Sequence, residues 1–147
     1  MTEASIYEYV GGAPAFQALA HALHERCVAD PVLNHPFDRP GLRPDHLDRL
    51  ASYLGEVFGG PKLYTERFGG ESAMQAAHAG NGMHPEMGER FVTCFVQALD
   101  DAGFPEDPRL RESMRAFMES AVAGMDAYNA PGSVVPEGLS VPRWPVI

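Results

Sequence analysis

The sequence predicts an all-α fold. Four of its long proline-free stretches carry apolar residues at three- and four-residue steps, the spacing of a one-sided helical face. Pro14, Pro31, Pro44, Pro85 and Pro108 each stand where a helix can begin. The first helical position needs no N–H donor and takes the φ that proline already has. No stretch alternates apolar and polar residues as a half-buried strand would. The expectation is roughly five or six helices packed on one another.

After Pro14 the stripe is Phe16, Leu19, Leu23 and Cys27. Asp30-Pro31 places a carboxylate N-cap in front of a helix start. Beyond Pro44 the stripe is Leu47, Leu50, Leu54 and Val57. Residues 58–70 hold two Gly-Gly pairs and Pro61, so they read as a loop. The segment ESAMQAAH then ends at His78. Beyond Pro85 come Phe91, Phe95 and Leu99, flanked by Val92 and Val96. Asp107-Pro108 again places a cap before a proline, and Leu110, Met114, Phe117, Ala121 and Met125 follow. From Pro131 four prolines and two glycines interrupt any helical period. The chain therefore divides into a domain of residues 1–130 and a proline-rich tail of residues 131–147, either packed in extended form or disordered. The tail carries none of the candidate site residues, so its removal is expected to leave ligand binding intact.

A length of 147 residues suits one domain with a core of its own. With 45% hydrophobic and 21% charged residues the composition is that of an ordinary globular chain. The formal net charge of -9 gives no bulk attraction to phosphate backbones, which argues against nucleic acid as a partner. No apolar run approaches the roughly 18 residues of a membrane span. The opening MTEASIYEYV lacks the basic and apolar regions of a signal peptide, so the chain reads as cytoplasmic with no membrane partner. Cys27 and Cys94 match no metal or redox spacing and read as buried or half-buried thiols.

Six histidines are the residues able to organise a metal or a haem. His78 follows Met74 by one turn and is flanked by Ala76, Ala77 and Ala79, with Gly80 beyond. Small neighbours before a glycine-rich break leave room for a flat, bulky group. His46 borders the Leu47/Leu50/Leu54 face, and His24 lies beside Leu23 at the same edge of its own helix. The three thus border apolar faces of three helices. They are either amphipathic edge residues with solvated tips or members of one shared site.

Several segments, in order, resemble the truncated haemoglobins, the two-over-two globins, and most of all their second group. Tyr9-Val10-Gly11-Gly12 looks like the glycine pair before the second helix. Asp30-Pro31-Val32-Leu33 followed by Phe37 resembles the short helix and the phenylalanine that wedges against the haem. Phe58-Gly59-Gly60-Pro61-Lys62-Leu63-Tyr64 is similar to the family's FGGPxxY loop. His78-Ala79-Gly80-Asn81-Gly82-Met83 looks like the proximal histidine and its turn, and residues 89–95 like the following helix. The glycine pairs would allow positive φ between abbreviated helices.

The resemblance implies a globin-like, truncated two-over-two helical sandwich that carries haem b. It implies a diatomic ligand (oxygen, nitric oxide or carbon monoxide) at iron held by His78, whose second ring nitrogen can donate to a backbone carbonyl. It places Phe37, His46, Leu50, Tyr64, Met74, Met83 and Phe91 around the cofactor, and His24 and His46 on the distal, ligand-contacting side. The family usually has tyrosine at the position of His24, and its second group tryptophan at that of Phe91. Phenylalanine supplies no donor, and a histidine donor depends on tautomer and charge. A reductase and a second copy of the chain are further candidate partners. Peroxidase chemistry and nitric oxide oxidation are the turnovers this site would suit. Two other readings compete. One is a metal-dependent helical-bundle hydrolase using His24, His46 and a third histidine, and the other a globin-like binding domain without haem.

Overall fold

A computed structural model of the chain describes residues 5–33, 45–78, 85–128, 130 and 132–146, with Ala77, His78, Pro85 and Asp126 described in the backbone alone. The described residues form seven α-helices and no strand. These are α1 (Ile6–Val10), α2 (Ala13–Ala29), α3 (His46–Val57), α4 (Leu63–Phe68), α5 (Gly70–His78), α6 (Pro85–Asp101) and α7 (Pro108–Met125), followed by a 3-10 turn at Asp126–Tyr128. α2 packs on α3, α6 packs on α7, and α2 against α6 joins the two pairs. The result is the expected sandwich of two helices over two.

Three of the five prolines act as anticipated, while residues 31–33 form a turn and Pro44 lies outside the described residues. Pro14 sits in the first turn of α2, and Pro85 and Pro108 open α6 and α7. Asp107 accepts from the backbone N–H groups of Arg109 and Leu110 at 3.0 and 3.4 Å, supplying the cap of α7. Asp30 does the same for Val32 and Leu33 at 2.8 and 3.3 Å, and also pairs with Arg90 of α6 at 3.2 Å. The apolar stripes supply the core. Phe16, Leu19, Leu23 and Cys27 of α2 meet Phe95 and Leu99 of α6, with Leu110, Met114 and Phe117 of α7 beyond. Full burial of each such side chain stabilises by about 1.5–3 kcal/mol. Both cysteines are buried and free, and burial pushes their thiols up.

Residues 58–70 are not a plain loop. They contain α4, held between Gly59-Gly60 and Gly69-Gly70. The helix forms because Glu56, buried at the end of α3, accepts from the backbone N–H of Thr65 at 2.9 Å and from its hydroxyl. A glycine count detects the bends and misses this cap. Gly59 and Gly69 adopt positive φ of 106° and 97°, as the glycine pairs were expected to allow. Gly60 is needed for a different reason: a Cβ there would lie 2.6 Å from the Tyr7 ring.

The tail takes the packed alternative. Trp144 donates its backbone N–H to Val57 O at 2.6 Å and sets its ring edge-on to Phe117 at 5.7 Å. Pro145 O accepts from Ile6 N–H at 2.7 Å. Ser72 of α5 donates to Pro136 O at 2.8 Å and accepts from Leu139 N–H at 2.9 Å.

Candidate functional site

α2 and α3 pack along faces whose edges carry histidine. His24 lies one turn before the buried Cys27, and His46 opens α3 directly after Asp45. Their rings meet with centroids 5.4 Å apart and planes inclined by 60°. Both are half-buried. Two of the histidines singled out in the sequence therefore share one place. Asp45 pairs with Arg49 at 3.0 Å, which braces the first turn of α3 beneath His46.

Leu50 follows His46 by one turn and is half-buried on the margin of the core, as is Phe91 of α6. Met74 of α5 is buried within the core. His78 closes α5, as the sequence anticipated, and only its backbone is described. Phe37 and Met83 lie outside the described residues. Tyr64 is buried, with its ring edge-on to Tyr53 at 5.3 Å and tilted against Phe68 at 5.6 Å. His21 stands on the surface beside Glu25 at 3.1 Å.

Sequence reasoning missed the buried polar residues. Glu56, Glu71 and Gln75 are buried, at 2%, 8% and 9% exposure. The Tyr53 hydroxyl donates to Glu71, lying 3.1 and 2.8 Å from its two carboxylate oxygens. Gln75 Nε2 donates to Glu71 Oε1 at 3.3 Å. Burial pushes the Glu71 carboxyl above the usual carboxylate range, against the pull of the hydrogen bonds from Tyr53 and Gln75, and the Glu56 charge pushes the same way as burial. The sequence signal was the four-residue spacing of Glu71 and Gln75, which a search for apolar period ignores.

The paired imidazoles of His24 and His46 suit a metal that accepts nitrogen ligands, and the apolar Leu50, Met74 and Phe91, in or against the core, suit a flat, largely apolar group. The residues present fit a haem on this ground. Among the described residues no three His, Cys, Asp or Glu side chains gather as a site for a bare metal ion. None of the described helices is long and apolar enough to cross a membrane.

Known proteins agree with this fold. Residues 5–128 match the family of bacterial-like globins. A group 1 truncated haemoglobin of Nostoc sp. is 32% identical over 76 residues, covering 52% of this chain and 59% of that protein, so the match spans less than two thirds of the relative. The haemoglobin of the thermophilic phototroph Chloroflexus aurantiacus superposes with a TM-score of 0.71 at 30% identity, covering 84% of this chain and 98% of that one. The group II truncated haemoglobin of Bacillus anthracis gives a TM-score of 0.74 at 24% identity, covering 90% and 96%, a likeness of fold.

Proposed function

The chain belongs to the bacterial-like globin family as a truncated haemoglobin, a protein of haem-based gas binding, and from that premise we propose that it carries haem b on His78 and meets a diatomic ligand beside His24 and His46. The observation that carries the proposal is the ring contact between His24 and His46 at 5.4 Å, which brings imidazoles from α2 and α3 to one point. When bound, the haem supplies an iron centre at which oxygen, nitric oxide or carbon monoxide binds reversibly. The side chains of the protein do the rest. Neutral imidazole can donate from one ring nitrogen and accept at the other, whereas the protonated form only donates. Leu50, Met74 and Phe91 keep water from the cofactor faces. Phe91 offers no hydrogen bond, so the polar contacts to the ligand come from the two histidines. Reversible oxygen binding needs reduced iron, which makes a reductase the partner class that accompanies this reading.

The absorption spectrum of the purified protein, with a metal assay beside it, tests the proposal. A haem spectrum is expected in the parent and in His84→Ala, and its loss is expected in His78→Ala. Equal haem retention in the two variants would overturn the proximal assignment.

A further inference from the structure

Gas binding makes no use of the buried polar cluster between α3 and α5, yet a buried polar group is costly unless it is bonded. Glu71, Gln75 and His78 follow one another along α5 at steps of four and three, which places them on one side of the helix. α5 has nine residues and enters through Gly69 and Gly70, both at positive φ. So short a helix has little stability of its own, and a glycine entry does not fix its direction. Its position must come from side chains. In its first turn Glu71 is gripped by the Tyr53 phenol of α3 through distances of 3.1 and 2.8 Å. The Tyr53 ring is held edge-on by Tyr64, Tyr64 packs on Phe68, and the Arg49 guanidinium lies 4.5 Å above Phe68. Gln75 carries the grip one turn further through its 3.3 Å bond to Glu71, and its buried Oε1 makes no hydrogen bond among the described residues. That leaves an acceptor one turn before His78.

We propose that Tyr53, Glu71 and Gln75 are positioning residues for the proximal histidine. The clamp sets the rotation and height of α5 against α3, and hence where His78 stands relative to the cofactor. This rests on the assignment of His78 above. Groups that orient a ligating histidine from behind commonly change metal affinity about 10–100-fold when removed.

Tyr53→Phe keeps the ring and removes the phenol, and Gln75→Met keeps the length and removes the amide. Leu110→Val in α7 serves as a destabilised control remote from α5. Three readings are taken: the iron–histidine stretching band of the reduced holoprotein, the rate of haem loss to a scavenging globin, and hydrogen exchange of α5 amides in the apoprotein. The expected result is a shifted or broadened band, haem loss faster by about 10-fold, and faster α5 exchange in both clamp variants, with an unshifted band in the control. A parent-like band and haem loss in both, or changes no larger than those of Leu110→Val, would overturn the proposal. If the parent bound no haem, the functional reading would fall by itself. The α5 exchange would still decide the clamp, and parent-like exchange would sink it.

Discussion

The carboxylate of Glu56 holds Thr65 twice, accepting from its backbone N–H at 2.9 Å and from its hydroxyl. Thr65 is the third residue of α4, and Lys62 in front of that helix gives no side-chain cap. A side chain from the preceding helix thus does the work that a neighbouring Ser or Asp usually does, and brings negative charge to a helix N-terminus. Glu56→Ala would remove the acceptor of the Thr65 N–H and hydroxyl together with a buried side chain, leaving the exposed Thr65 to water. The expected loss is about 2–4 kcal/mol, with Glu56→Gln losing less because the amide oxygen still accepts. Urea unfolding of the two variants against the parent checks the order.

Glu71 makes a prediction about pH. Its carboxyl titrates above the usual range in the folded chain, so the folded state holds its proton to higher pH than the unfolded state. Between the two values the folded state binds more protons, and stability from this group falls as pH rises. Glu71→Gln removes that dependence. The melting temperature of the variant, plotted relative to the parent from pH 4 to pH 8, is therefore expected to climb with pH. A flat difference would mean that the burial of Glu71 does not perturb it.

His24 and His46 are expected to govern the distal side together. The two rings are in contact. His24→Ala, His46→Ala and the double variant should each alter the oxygen dissociation rate, with a double effect different from the sum of the singles. Stopped-flow dissociation measures this. Parent-like rates in all three would remove both residues from the ligand's surroundings.

The tail has a structural role that its composition conceals. A chain ending at Ala130 loses the Trp144 contact on Phe117, both Ser72 bonds and the cover over Val57 and Ile6. Loss of a largely buried aromatic costs about 3 kcal/mol or more in a core, and Trp144 is half-buried, so a drop of about 2 kcal/mol is expected from Trp144→Ala alone. Haem titration into the shortened chain asks the separate question of the pocket, which sequence reasoning expects to survive.

The helices were legible because their causes are local, and their pairing only through the resemblance to the two-over-two globins. The stripe of α2 is buried as spaced, and prolines mark the starts of α2, α6 and α7. His24 and His46 were legible as a pair only through their shared edge position, and the structure supplies the contact. α4 was not legible, because its cap comes from Glu56 across a bend. Tyr53, Glu71 and Gln75 escaped for a related reason. A buried polar residue looks like a surface one until its partner on another helix is known, and no spacing along one chain segment names that partner.

The bond from Ile6 N–H to Pro145 O joins two segments far apart in the sequence. α1 has five residues and docks through Tyr7, which donates its N–H to Phe58 O at 2.8 Å and stacks on Phe16. A helix that short does not persist unsupported, and a contact between such distant positions forms only after the intervening chain is ordered. α1 and the tail should therefore close last, over a body of α2, α3, α6 and α7 already assembled. Interactions completed after the folding barrier act mainly on the rate of opening. The seam between Ile6 and Pro145 is thus a latch: it contributes little to how fast the globin assembles and much to how long it stays shut.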